Sequence, residues 1–251
     1  MFKNERLNKI IEILQRKKVI SIADLRNKIF VSDSTIRRDI IALENMGKVK
    51  RRYGNVELIK PENVELSYLF REQEHEKEKK YIANIASNFL GDNQAIFIDS
   101  SSTASFLAGY FSNLHNVIVV TNGLRLAVEL DNLPNIKTFI SGGRVRAGSG
   151  SILGDITLNF LENFRANLNF ISCAGIDTSG IYMSSEEQSS VKRQMLSLSD
   201  KSILLCDYSK FGKKGYYRLC SPRSVNTIIT NSKPSEEIVN CFSKNGIEIL
   251  F

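Results

Sequence analysis

The sequence predicts an α/β protein in two parts. The first is a winged helix-turn-helix over residues 1–60. A linker at 61–75 joins it to a mostly parallel α/β domain over 76–251. Three observations carry that prediction. Three short amphipathic segments and a basic hairpin pattern fill residues 1–60. From Gln94 onward, apolar strand-sized runs alternate with helix-sized ones. The charge is also lopsided: residues 1–60 hold 15 Lys and Arg against 7 Asp and Glu, so the whole formal net charge of +7 lies in the first quarter. A basic head on a near-neutral body points to a polyanionic partner.

Residues 4–18 place Leu7, Ile10, Ile11 and Leu14 on one face and form the first helix. Val19 and Ile20 make a short extended link. Ser21 caps a second helix, with Asp24 three residues on, and Ile22, Leu25 and Ile29 point inward. The third helix lies within VSDSTIRRDIIALENMG at 31–47. Ser32 is its N-cap and Gly47 ends it. Ile36, Ile40 and Leu43 line one face; Ser34, Arg38, Ile41 and Asn45 line the other, with Arg37 on the flank. Hydroxyl, guanidinium and amide groups on one face suit a major groove, whose base edges and phosphates present acceptors. In KVKRRYGNVELI, which follows, Gly54-Asn55 is a two-residue turn signal, giving a basic wing. DNA contacts are expected from Ser32, Ser34, Thr35, Arg37 and Arg38, and from Arg51 and Arg52 in the wing.

The run REQEHEKEKK reads as a solvated helix that continues to residue 90, with Ile82, Ile85, Ala86 and Phe89 inward. Apolar strands are then expected at 95–99, 116–122, 136–143, 167–175, 202–207, 225–231 and 247–251. Helices fall at 103–111, 123–130, 154–164, 185–198 and 235–244. Ligands of such sheets bind at strand carboxyl ends. Those ends carry Asp99, Ser101, Ser102 and Thr103; then Asn122; then Gly142, Gly143 and Arg144. Lys210 follows a later strand, and Lys192 can reach the same rim from a helix. Serine hydroxyls, backbone amides, an arginine and lysines together suit a phosphate-bearing small ligand. There is no GxxxxGK[ST] and no GxGxxG after a strand.

The four cysteines form no CxxC pair and read as buried free thiols, so no metal or cofactor is expected. Residues 1–9 are polar and unlike a signal peptide, and no apolar run is long enough to span a membrane. A reducing cytoplasm fits this usage. His75 and His115 read as solvated surface residues.

VSDSTIRRDIIALENMG, RRYGNV, EKEKKYIA, IDSSSTA, VVTN, ISGGRVR, CAGID and CDYSKFG, in this order, resemble the DeoR family of bacterial transcriptional regulators over nearly the whole chain. The resemblance implies an operator-binding head and a sensor domain similar to ribose-5-phosphate isomerase-type folds. It implies a phosphorylated sugar effector held by Asp99, Ser101, Ser102, Thr103, Asn122, Gly142, Gly143, Arg144, Lys192 and Lys210. Asp177 and Glu187 are weaker candidates. The expected function is a repressor of carbohydrate metabolism genes, acting as a homodimer or homotetramer on double-stranded operator DNA. The alternative is a sugar-phosphate isomerase or deaminase-like enzyme with a regulatory head. No acid–base pair of convincing spacing supports it.

Overall fold

The apolar stripes of the first sixty residues meet one another. In the computed structural model, which describes residues 3–17, 19–59 and 68–251, the chain divides into two units, Met1–Phe70 and Arg71–Phe251. In the first, α1 (Lys3–Lys17) is followed by β1 (Val19–Ser21), α2 (Ile22–Ile29) and α3 (Asp33–Asn45). Leu7, Ile10, Leu14, Leu25, Ile29, Ile36, Ile40 and Leu43 share one core with Val49 and Val56. Ser21 Oγ accepts the Asp24 amide at 3.0 Å and Ser32 Oγ accepts the Thr35 amide at 3.3 Å, so both expected caps form. Gly47, with φ 69°, ends the third helix.

β2 (Val49–Arg52) and β3 (Asn55–Leu58) make the hairpin, and β1 pairs with β3 to complete a sheet of order β1-β3-β2. The turn falls one residue earlier than expected. Arg52 pairs with Asn55, so Tyr53 and Gly54 form the turn, with φ 46° and 80°. Two positive φ values match the strand twist, and Asn55 belongs to the ladder.

The charged run differs more. It is two helices, α4 (Tyr68–Gln73) and α5 (Glu76–Ser87), broken where His75 takes φ 55°. Lys79 shares the inward face of α5 with Ile82, Ala83 and Ala86 and is buried. Its ammonium donates to the carbonyls of Arg71 and Glu74, the latter at 2.6 Å. These partners fix the break and overturn the reading of a fully solvated helix. His75 is half-buried, edge-on to Tyr208 with ring centroids 5.3 Å apart, whereas His115 is exposed. Of the expected linker, 61–67 lie outside the described residues.

The rest of the second unit runs β4 (Ala95–Ile98), α6 (Ser102–Ser105), β5 (Val117–Thr121), α7 (Leu124–Leu130), β6 (Ile136–Ile140), β7 (Arg144–Arg146), β8 (Ser151–Leu153) and α8 (Asp155–Leu161). Then come β9 (Ala166–Ser172), β10 (Gly175–Asp177), β11 (Gly180–Met183), α9 (Glu186–Ser197), β12 (Ser199–Leu205), β13 (Tyr217–Cys220), β14 (Thr227–Ile229), α10 (Glu236–Lys244) and β15 (Glu248–Leu250). The helix expected at 103–111 is one α turn followed by a 3-10 segment, Phe106–Tyr110. The β7–β8 hairpin and the antiparallel sheet β10-β11-β13 were not expected. Their strands are short and carry no apolar run.

Seven parallel strands form the central sheet in the order β15-β14-β12-β9-β4-β5-β6. The chain builds outward from β4 through β5 to β6. It then returns to the other side of β4 and builds outward again through β9, β12, β14 and β15. The order reverses between β4 and β9, and at such a point the connections leave in opposite directions and open a crevice at the strand carboxyl ends.

Candidate functional site

The first site is the exposed face of α3. Ser34, Arg37, Arg38, Ile41 and Asn45 are exposed, while Ile36, Asp39, Ile40 and Leu43 are buried. The Asp39 carboxylate is gripped from α1 by Arg6, with Nε at 2.7 Å and Nη2 at 3.1 Å. A planar fork of this kind fixes the helix direction as well as its burial. Ser32 Oγ lies 3.0 Å from Ser34 Oγ and 2.9 Å from Thr35 Oγ1, so the three hydroxyls form one cluster around the cap, with Thr35 half-buried. Arg38 Nε donates to the Ser34 carbonyl at 3.3 Å, leaving the ends of its guanidinium outward. Arg51 is tied to Glu44 on α3 through its amide (3.2 Å) and Nε (2.6 Å). That bond holds the wing to the helix. Arg52 is exposed, and so is Ile41 at 41%.

The second site lies at the sheet's reversal point. Asp99 leaves β4 and is 1% exposed. Its Oδ1 accepts the Ser101 amide at 2.8 Å and its Oδ2 accepts the Ser172 amide from the end of β9, also at 2.8 Å. Lys192 reaches down from α9, itself buried, and donates to the same Oδ2. Three donors engage this carboxylate, so it acts as an anchor for Lys192 and the serine loop. Ser102 and Thr103 open α6, whose first N–H groups have no intrahelical acceptor; both are buried. Ser101 Oγ caps them by accepting the Ala104 amide at 3.2 Å.

Asn122 leaves β5 beside this loop. Its Nδ2 donates to the Ile152 carbonyl at 3.0 Å, and its Oδ1 is buried with no hydrogen-bond partner among the described residues. Ser141, at the end of β6, has its Oγ in the same condition. Buried polar atoms without partners are uncommon, and both stand at strand carboxyl ends. Beside Ser100 of the serine loop stand two members that the sequence reading did not single out, Ser151 and Gln188. Ser151 Oγ donates to Ser100 Oγ at 2.7 Å and accepts from Gln188 Nε2 at 3.4 Å.

The remaining candidates lie further out. Gly142 and Gly143 serve packing: the Gly142 carbonyl accepts Thr157 Oγ1 at 2.7 Å, and a Cβ on Gly143 would come within 2.4 Å of the same oxygen. Arg144 is exposed and ion-paired with Glu187 at 2.5 Å. Asp177 closes the β10–β11 turn by accepting the Ser179 and Gly180 amides at 2.8 and 2.9 Å. Lys210 follows β12, two strands from Asp99, beside buried Asp207. Burial pushes the Asp207 carboxyl up, but Lys210 and the Ser209 amide outweigh it and hold it below its ordinary value. Cys206 is fully buried, and contact with Cys173 together with burial raises its thiol well above the usual range, so it stays protonated. Among the described residues no group of His, Cys, Asp and Glu could hold a metal, and no helix is long and apolar enough to cross a membrane.

Within the second unit, Arg71 joins this network. Its Nη2 donates to the Ser149 carbonyl at 3.1 Å. Ser149 Oγ accepts the Ser151 amide at 3.2 Å. A continuous chain of contacts thus runs Arg71–Ser149–Ser151–Ser100.

A basic winged helix followed by an α/β unit with buried polar residues gathered at its strand carboxyl ends defines the class of two-domain, ligand-responsive DNA-binding regulators. A family model described as the DeoR C terminal sensor domain matches residues 74–232, and one described as the DeoR-like helix-turn-helix domain matches residues 6–62. The chain belongs to the DeoR family of transcriptional regulators. It is 33% identical over 229 residues, 91% of this chain and 88% of the other, to the HTH-type transcriptional regulator YulB of Bacillus subtilis. It is 27% identical to the glycerol-3-phosphate regulon repressor of Escherichia coli, covering 99% of each chain. Ribose 5-phosphate isomerase A of Methanocaldococcus jannaschii aligns over 55% of each chain at 13% identity with a TM-score of 0.40. The relatives are named as regulators, and this chain is a metabolite-modulated DNA-binding regulator rather than an enzyme. Operator DNA is its partner.

Proposed function

We propose that the chain is a cytoplasmic repressor of carbohydrate metabolism genes, released by a phosphorylated sugar or polyol bound at the β4–β9 reversal point. One observation carries this reading: buried Lys192, anchored on Asp99, stands over a loop of buried serines and threonine at the strand ends. A lysine there supplies a point charge for phosphate. The unpartnered Asn122 Oδ1 and Ser141 Oγ supply acceptors for sugar hydroxyls. Asp99, Ser101, Ser102, Thr103, Asn122 and Lys192 form the inner site. Arg144 and Lys210 lie at its rim, and Gly142 and Gly143 shape its wall. One relative is named as the repressor of a glycerol-3-phosphate regulon, and glycerol 3-phosphate is a phosphorylated polyol. On DNA, Ser34, Thr35, Arg37 and Arg38 enter the major groove and Arg52 meets phosphates beside it. Ser32 and Arg51 hold those groups in place. Two or four copies read repeated half-sites.

Titration calorimetry of the full chain against triose, pentose and hexose phosphates, each beside its unphosphorylated parent, tests this. The expected result is saturable binding of a phosphorylated compound, absent for its parent and lost in Lys192→Met. Binding by no phosphorylated compound to folded protein, or equal binding by the variant, overturns it.

A further inference from the structure

The seven-stranded sheet ends at β6, which pairs with β5 on one side only. The Ser141 amide donates to the Thr121 carbonyl at 2.9 Å. Backbone groups of successive residues point to opposite sides of a strand. Those of Lys137, Phe139 and Ser141 therefore face β5, and those of Thr138 and Ile140 face outward. An open row of donors and acceptors is a template for another strand.

That edge borders an apolar strip. Phe139 and Ile140 are each 40% exposed and Ile156 is 67% exposed. Phe139 lies against Phe164, and Phe164 against Phe160, with ring centroids 5.2 Å apart in both pairs. Ile156 borders Gly142, just past the end of β6, where a Cβ would stand 3.3 Å from its Cγ2. The strip thus runs from the strand edge onto α8, and joined apolar patches of this kind mark interaction sites. A charge stands at each end of it: Lys137 near the start of β6, and Asp155 at the start of α8. Both are exposed, and neither has an ion-pair partner among the described residues.

We propose that β6 pairs antiparallel with β6 of a second copy of this chain about a two-fold axis, joining the two central sheets edge to edge. Only Thr138 and Ile140 offer outward groups, so the pairing that uses them all sets each Thr138 opposite the partner's Ile140. Phe139 then faces the partner's Phe139 on the axis, in the non-hydrogen-bonded position where side chains come closest. An aromatic pair there stabilises the ladder. In the same register Lys137 lies opposite the partner's Ser141, on the sheet face that carries α8 and beside the partner's Asp155. That charge pair forms twice. One register thus matches the apolar strip to itself and each charge to its opposite, which is the self-complementarity an isologous contact requires. A second copy is therefore the occupant. The proposal names the contact behind the several copies of the proposed function, and it rests on that part of the reading alone.

Sedimentation equilibrium of the full chain tests this, using the parent, Phe139→Glu, Phe139→Lys and an equal mixture of the two variants. The expected result is an assembled parent and variants that each sediment at half its mass. The mixture recovers the parent's mass, because opposite charges then meet across the axis. Recovery on mixing also shows that both variants are folded. A monomeric parent overturns the proposal together with the multi-copy reading. Variants that assemble like the parent overturn the proposal alone, and so does a mixture that stays dissociated.

Discussion

Asp39 sits one residue after Arg38 but faces the opposite way, buried against Arg6 of α1. Removing it leaves a guanidinium that is mostly covered and has lost its fork partner. Asp39→Ala is therefore expected to lower the stability of the head by about 2–3 kcal/mol in urea melts. Arg38 shows the reverse case: it is exposed, and the proposed function assigns it to DNA recognition rather than to folding. Arg38→Ala is expected to weaken operator binding by about 1–3 kcal/mol in anisotropy titrations, with the melting curve unchanged. An unaltered affinity would remove Arg38 from the reading face. Helical periodicity shows which way Arg37, Arg38 and Ile41 point, because that depends only on neighbours along the helix. The Arg6–Asp39 fork was not visible, since its members lie 33 positions apart. Lys192 was legible as a candidate from its rim placement. Its partner oxygen on Asp99, 93 residues away, was not.

Among the elements, strands with continuous apolar runs were read correctly, because burial on both faces leaves no other composition. The β7–β8 hairpin escaped because its residues satisfy each other through the ladder and local turns. Its first glycine is sensitive. Gly143 has φ 131°, and a Cβ there would meet Thr157 Oγ1 and Leu153 O at 2.4 and 2.8 Å. Gly143→Ala is expected to cost about 2 kcal/mol or more of sensor-unit stability, measured by thermal unfolding. Helix α5 carries a second sensitive point. Burial, aided by Lys210, lowers the Lys79 ammonium from 10.5 to about 8. Between those values the unfolded chain binds more protons than the folded one, so this group's contribution to stability rises with pH. Lys79→Met should flatten that rise relative to the parent between about pH 8 and pH 10.5, as read from urea midpoints at successive pH values. A slope identical in both proteins would show that Lys79 titrates normally.

For the whole molecule, the uneven charge makes DNA affinity steeply salt-dependent. Several phosphates are neutralised at once, so log affinity should fall linearly with log salt, and Arg52→Ala should reduce that slope by about one. Anisotropy titrations across a salt series check both. The two-part architecture was legible because charge and periodicity change together along the chain. The crevice geometry was only partly legible, since it depends on which strands become neighbours, and the reversal between β4 and β9 is a property of the folded sheet. The chain from Ser100 through Ser151 and Ser149 to Arg71 links that crevice to the first residue of the sensor unit. If effector binding weakens the hold on DNA, thermodynamic reciprocity requires DNA to weaken the hold on effector by the same factor. Copies seated on an operator are then the least responsive detectors in the cell. The unbound copies meet the rising metabolite first and are withdrawn from the rebinding pool, so induction proceeds by preventing return as much as by forcing release.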